Sequence, residues 1–259
     1  MFDANPFSTL SAAVSSAIMQ TFVVVMIALV ALGTLFDLAH KQSARYFFRH
    51  ARATRGNRPV GAGERAILAL RTAVIDWLAA GEFCSTRRRL AHLLTMYGFL
   101  AYAVSTAAMV FVYPTPDVET PALWPMMWHV GAALVCIGGY WFWFFIRVDV
   151  SAEGHSPFRV VRADIFILSL LANTTLALIW SWLQSNGSDW SDIALGLYLV
   201  SALVLFGSVP WSKFSHMFYK PAAAFQKRIE DANGSRANLP PPADAPATLG
   251  SARTQPTHY

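Results

Sequence analysis

Charged residues are scarce in this chain of 259 residues. Asp, Glu, Lys and Arg make up only 14% of it, whereas hydrophobic residues make up 55% and the mean hydropathy is +0.40. A soluble domain carries about a quarter charged residues, so the composition argues against an ordinary globular protein. The apolar residues are gathered in long blocks without charge, which is typical of a protein that crosses a membrane several times.

Cysteine is almost absent as well. Cys84 and Cys136 are the only two, and they lie far apart without CxxC spacing. They cannot supply the four thiolates of an iron–sulfur cluster or of a structural zinc site. The spacing gives no support to a disulfide framework either.

Five apolar segments are each long enough to cross a hydrocarbon core of roughly 30 Å as a helix. None contains Asp, Glu, Lys or Arg, and none alternates as a membrane β-barrel strand does. We therefore expect an all-α membrane protein, a bundle of five transmembrane helices within a membrane domain at residues 1–231. The predicted spans are about 15–36, 93–112, 123–146, 165–183 and 193–209.

All 20 Lys and Arg residues fall on one side of this topology, in the loops 39–90 and 147–162 and after Pro210. The charged residues on the opposite side are all acidic: Asp3, Asp117, Glu119, Asp189 and Asp192. The positive-inside rule then predicts an N-terminus outside (periplasmic) and a cytoplasmic C-terminus. Residues 232–259, rich in Asn, Pro, Ala, Ser and Gly, are predicted to form a disordered cytoplasmic tail.

The basic cytoplasmic loop 39–90 has two interpretations. Its charge either only sets the topology and attracts anionic headgroups, or it also docks an acidic soluble partner, with Arg87, Arg88 and Arg89 as the candidate docking residues. Residues 64–80 have the apolar spacing of an amphipathic helix that lies along the membrane. The loop has no recognisable nucleic-acid-binding motif, so nucleic acid is not expected as a partner.

Three histidines lie inside or beside the predicted spans at informative positions. His92 opens the second span and His216 follows the fifth, so both lie near the cytoplasmic face. A bis-histidine haem needs two imidazoles on different helices at matching depth, although histidines near membrane ends also serve as interfacial residues. His129, near the outer end of the third span, is expected to be a hydrogen-bonded core or interfacial residue, with haem ligation as the alternative.

The segment Val209–Pro221 (VPWSKFSHMFYKP) resembles the closing motif of the nitrate reductase gamma-subunit superfamily of five-helix membrane cytochromes b. In that family a Pro-x-Ser-Lys/Arg-x-x-His segment carries a haem ligand. Arg89–Phe99 (RLAHLLTMYGF) resembles the second helix of the family, whose histidine supplies the opposite ligand. The resemblance covers about residues 21–221. It implies one haem b on the cytoplasmic side, with His92 and His216 as the axial ligands of its iron.

The chain departs from the two-haem members of this family at two positions. Those members carry a further histidine about ten residues along the second helix and another about eighteen residues before the closing one, where this chain has Tyr102 and Tyr198. A pair of phenols is a poor substitute for two imidazoles in a low-spin electron carrier. We therefore expect the outer haem to be missing.

Other residues inside the spans are expected to support helix packing. Polar side chains in the middle of the fourth span should form interhelical hydrogen bonds, and glycines of the third span should let helices approach closely. Aromatic residues crowd the third span; most are expected in the interfacial belts, with quinone contact as the alternative for a few. The polar residues are Asn173, Thr174 and Thr175, and the glycines are Gly131, Gly138 and Gly139.

Because the chain lacks an iron–sulfur domain, it is most similar within this superfamily to the membrane anchor subunit of adenylylsulfate reductase, which is related to the membrane half of the quinone-interacting oxidoreductase C subunit. The resemblance implies a non-catalytic subunit of an oxidoreductase complex in the bacterial inner membrane. It would link a cytoplasmic iron–sulfur flavoprotein, adenylylsulfate reductase of dissimilatory sulfur metabolism, to the quinone pool by electron transport through haem b. A haem-free structural anchor of the same enzyme is the alternative. A transporter is disfavoured, because the spans lack ionisable residues other than histidine.

Overall fold

The computed structural model describes residues 2–40, 58–81, 83, 85–151, 153–209 and 216–235, and within these ranges every regular element is helical. The α-helices of this part are α1 (Pro6–Leu10), α2 (Ser16–His40), α3 (Ala62–Arg71), α4 (Thr86–Phe111), α5 (Leu123–Trp141), α6 (Val148–Ser151), α7 (Ile165–Ser185), α8 (Ser191–Gly207) and α9 (His216–Asn233). The π-helix Thr72–Leu78 continues α3, the π-helix Phe142–Ile146 continues α5, and a 3₁₀ turn at Arg162–Asp164 precedes α7.

Four helical stretches are long and apolar enough to cross a membrane: Ser16–Asp37, Thr86–Phe111, Leu123–Ile146 and Ile165–Ser185. Helix α8 is also apolar, but it has 17 residues, which corresponds to about 26 Å. The prediction of an all-α protein is therefore confirmed for the described residues, and so is the presence of several helices long and apolar enough to cross a membrane. The fifth span and the orientation stay predictions.

The chain divides into two compact units. The first comprises Met1–Asp37 and Leu90–Ser215, and the second comprises Leu38–Arg89 and His216–Tyr259. The predicted start of the tail at residue 232 falls inside α9. From residue 236 onward, the predicted tail lies outside the described residues.

In the first unit, α4 and α5 pack with their backbones in direct contact. A Cβ added to Gly131 would lie 2.7 Å from the carbonyl oxygen of Gly98, and one added to Gly138 would lie 2.7 Å from that of Ala91. Because residue 91 meets 138 and residue 98 meets 131, the two helices run antiparallel. The packing role predicted for Gly131 and Gly138 is confirmed, and Gly98 shares it.

Helix α7 packs antiparallel to α5. The side chain of Leu171 occupies the space that a Cβ on Gly139 would need. Further along, the sulfur of Cys136 lies 3.4 and 3.5 Å from the hydroxyl oxygens of Thr174 and Thr175. These contacts confirm the interhelical role predicted for Gly139 and for the two threonines.

The loop between α5 and α7 is organised by Arg147, which is 5% exposed. One terminal guanidinium nitrogen (Nη1) donates to the Asp164 carboxylate at 2.8 Å, and the second (Nη2) donates to the carbonyl oxygens of Pro157 and Arg159 at 3.1 and 2.9 Å. The guanidinium carbon also lies 3.9 Å from the ring centroid of Trp143. Arg147 belongs to the set of basic residues that predicts the orientation, and here it also closes the loop.

In the second unit, α9 packs against the π-helix that continues α3. Arg228 of α9 makes a bidentate ion pair with Asp76 of the π-helix, in which Nε and Nη2 lie 2.8 and 2.9 Å from the two carboxylate oxygens. The two helical segments are therefore joined through their charged faces.

Candidate functional site

His92 lies near the start of α4 in the first unit. It follows the first helical residue, Thr86, by about 9 Å of helix rise and is half-buried. The preceding residue, Ala91, faces Gly138 of α5 and is fully buried. The imidazole of His92 is therefore carried by a helix whose direction is fixed by close packing against α5.

His216 is the first residue of α9 and belongs to the second unit. The rest of the motif before it, residues 210–215, lies outside the described residues. Axial ligation of one iron by His92 and His216 therefore stays a prediction.

Tyr102 and Tyr198, at the two departures from the family pattern, are bonded to each other. Their phenol oxygens lie 2.7 Å apart, and both residues are buried. The carbonyl oxygen of the Asn173 side chain lies 3.2 Å from the phenol oxygen of Tyr102, and its amide nitrogen donates to Ser201 at 3.2 Å. The Tyr102 hydroxyl is the donor towards both acceptors, the Tyr198 hydroxyl oxygen and the Asn173 oxygen, which can only accept. The interhelical hydrogen bonding predicted for Asn173 is confirmed.

These two tyrosines complete a closed ring of four buried aromatic side chains, which we call the aromatic box: Tyr102, Trp128, Trp180 and Tyr198. Tyr102 stacks on Trp128 with the ring centroids 5.4 Å apart, and Tyr198 stacks on Trp180 at 5.6 Å. The two tryptophans meet edge to face at 6.4 Å. The indole nitrogen of Trp128 donates to Thr106 at 3.0 Å, so the polar atom of that ring is also satisfied.

The geometry of the tyrosine pair differs from that of two axial ligands. Metal–oxygen bonds to protein ligands are about 2 Å long, so two oxygens on opposite sides of one iron lie about 4 Å apart with the macrocycle between them. At 2.7 Å the phenol oxygens are in direct hydrogen-bond contact instead. In this arrangement the box is a packed core that holds α4, α5, α7 and α8 together.

His129 is fully buried beside the aromatic box. Its Nδ1 donates to the carbonyl oxygen of Pro125 at 2.7 Å, because a carbonyl can only accept, and its Nε2 lies 2.8 Å from the hydroxyl of Ser181. Both ring nitrogens are thus engaged within the bundle. The expectation of a hydrogen-bonded core histidine is confirmed.

The N-terminal segment closes the same end of the bundle. Phe7 inserts between Trp128 and Trp180, with ring centroids 5.8 and 5.5 Å away. Asn5 caps α1 and donates to the carbonyl oxygen of Tyr113 at 2.9 Å, while Gln184 donates to that of Pro6 at 3.2 Å. The Asn-Pro pair is a readable helix-start signal, but its distant partners are not visible in the sequence.

The candidate docking residues lie in the first turn of α4. Arg87 and Arg89 are exposed, and Arg88 is half-buried. The Nε of Arg89 donates to the carbonyl oxygen of Ala79, just after the π-helix, at 2.8 Å. Docking of a partner by these arginines stays a prediction, and the structure adds an intramolecular contact for Arg89.

No family model matches the sequence, and no solved structure matches it. The chain is similar to citrate utilization protein B of Escherichia coli, with 28% identity over 168 residues that make up 62% of this chain. It spans 42% of the length of that curated relative.

Proposed function

We propose that this chain is the membrane anchor and electron-transfer subunit of an oxidoreductase complex in the bacterial inner membrane. In this proposal α8 is the fifth span, the N-terminus lies outside, and the basic loops face the cytoplasm. The observation that carries the proposal is the position of His92, a half-buried imidazole near one end of a helix long and apolar enough to cross the membrane. The predicted spans hold no Asp, Glu, Lys or Arg, and the spanning stretches of the structure carry them only near one end, as Asp37 and Arg87–Arg89. Ion and proton pathways normally carry such groups inside the spans. This favours electrons over ions as what passes through the protein.

One haem b, ligated by His92 and His216, would supply one-electron transfer. Two imidazoles are a donor set that suits a low-spin haem carrier. His92 supports the proposal because it lies in the helix α4 that packs closely against α5. The level of Tyr102 lies about 15 Å further along the same helix, so the haem and the aromatic box would occupy opposite ends of the bundle.

Two soluble partners suit such a subunit. The sequence motifs favour a cytoplasmic iron–sulfur flavoprotein, adenylylsulfate reductase. It would oxidise sulfite in the presence of AMP to adenylylsulfate, and the two electrons released from sulfite would reach quinone through this chain. The similarity to citrate utilization protein B favours instead a partner that acts in citrate utilisation. Co-purification from the native membrane, followed by identification of the soluble subunit and an assay of quinone reduction with sulfite and AMP, distinguishes the two.

The haem itself is tested by the absorption spectrum of the purified full-length protein. We expect about one haem b per chain, and His92→Ala or His216→Ala should abolish the reduced-minus-oxidised signal. His155→Ala is the matched control, because His155 is an exposed loop residue paired with Glu153. A colourless preparation from haem-sufficient cells that still binds its partner would support the alternative, a haem-free structural anchor. Two haems per chain would overturn the interpretation of the aromatic box.

A further inference from the structure

The helix formed by α3 and the π-helix after it exposes four large apolar side chains. They recur at steps of three or four positions between residues 67 and 77, and we call these four residues the apolar stripe. They are Ile67 (62% exposed), Leu70 (65%), Val74 (48%) and Trp77 (48%).

Two polar residues of the same helix are covered by protein instead. Thr72 is buried, and Asp76 is joined by its two carboxylate oxygens to Arg228 of α9. A helix in a water-soluble unit buries its apolar side and exposes its charges. Here large apolar side chains are exposed while a carboxylate lies against α9, which indicates that the apolar stripe meets a nonaqueous surface.

The position of the helix along the chain identifies that surface. Its end is fixed to the first turn of α4 by the hydrogen bond from Arg89 to the carbonyl oxygen of Ala79. Helix α4 begins at Thr86 and is one of the stretches long and apolar enough to cross a membrane. The stripe is therefore attached at the point where a spanning helix leaves the bilayer, the depth at which tryptophans such as Trp77 are enriched.

We infer that the apolar stripe inserts into the interfacial region of an anionic lipid leaflet. Arg71 flanks the stripe and Arg87 lies in the first turn of α4, and both are exposed. Basic side chains at the membrane surface bind acidic headgroups, and an amphipathic helix with such residues lies in the plane of the interface. This inference goes beyond the proposed function and holds whether or not the chain carries haem.

Nitroxide labelling of the full-length protein in lipid nanodiscs tests the inference. In a background of Cys84→Ser and Cys136→Ser, one variant carries the label at Val74→Cys and the matched control carries it at Lys227→Cys, an exposed position on α9. The two reagents are oxygen, which concentrates in the bilayer, and a water-soluble nickel chelate. In nanodiscs that contain phosphatidylglycerol, the Val74 label should be relaxed mainly by oxygen and the Lys227 label mainly by the nickel chelate.

Equal access of the nickel chelate to both labels would overturn the inference. Replacing phosphatidylglycerol with phosphatidylcholine should raise the access of the chelate to the Val74 label, and no change would overturn the requirement for anionic lipid. If the variant at Val74 fails to insert, Leu70→Cys provides a second label on the same stripe, since Leu70 is even more exposed.

Discussion

Removal of the Arg147 side chain should destabilise the first unit far more than removal of any exposed arginine. The guanidinium is 6% exposed and faces an Asp164 carboxylate that is 12% exposed. It also donates to two loop carbonyls and covers the ring of Trp143. In Arg147→Ala all of these contacts are lost, and the Asp164 carboxylate is left without its cation.

The expected magnitude follows from the burial of the pair. Breaking a buried ion pair by deleting one partner costs about 3–5 kcal/mol, most of it the penalty of the charge that remains. Arg147→Lys keeps a charge but cannot reproduce the planar set of donors. Losing the two carbonyl contacts at about 1 kcal/mol each should then cost about 2 kcal/mol. Replacing both partners by apolar residues, as in Arg147→Met with Asp164→Leu, should cost less than either single change to alanine.

Equilibrium unfolding in mixed micelles of dodecyl maltoside and SDS, followed by circular dichroism, measures these differences. Arg159→Ala is the matched control, because that side chain is exposed and only its backbone carbonyl contacts Arg147. If Arg147→Ala proves no more destabilising than Arg159→Ala, the loop does not depend on the buried pair and the reasoning is wrong.

Three further predictions use the same purified protein. Gly131→Ala should lower the free energy of unfolding by about 1–3 kcal/mol through overpacking, since the new Cβ would lie 2.7 Å from backbone atoms of α4. Gly196→Ala is the control, because a Cβ there would have no atom within 4 Å. Equal unfolding midpoints for the two variants would contradict the close approach of α4 and α5. Tyr102→Phe should cost about 1–2 kcal/mol by removing the hydrogen bonds to Tyr198 and Asn173 while leaving any haem spectrum intact. Loss of the spectrum would make Tyr102 part of the cofactor site. Arg87→Glu should reduce co-sedimentation of the soluble partner with membranes, and unchanged co-sedimentation of the inserted variant would leave Arg87 a topology determinant.

The sequence predicts the spans well because hydropathy depends on the membrane rather than on tertiary contacts. The sequence predicts helix ends less well, because a helix can continue beyond the apolar segment that hydropathy detects. Helix α4 begins at Thr86 and not near residue 93, since the segment with Arg87, Arg88 and Arg89 lacks apolar character but is still helical. The π-helical turns at Thr72–Leu78 and Phe142–Ile146 have no signature in hydropathy.

Packing directions inside the bundle are harder to predict. Helices α5, α7 and α8 are apolar on all sides, so periodicity does not distinguish the face that meets lipid from the face that meets protein. Trp128 is expected in the interfacial belt from its position alone, yet it is fully buried. Trp180 gives no signal in the sequence, although it forms one side of the aromatic box. Polar residues are the exception, because Asn173 and His129 must find partners inside the bundle.

The aromatic box also separates the proposed cofactor from the stability of the fold. Its four rings belong to a buried cluster of the protein's own side chains, and their polar atoms bond to one another, to Asn173 and to Thr106. His92 lies about 15 Å away along α4, so this cluster does not require a haem in order to pack. We therefore expect His92→Ala to lose the haem signal but to keep the near-ultraviolet circular dichroism of the buried tryptophans. If the near-ultraviolet signal disappears together with the haem, the two halves of the bundle fold as one and the cofactor contributes to the core.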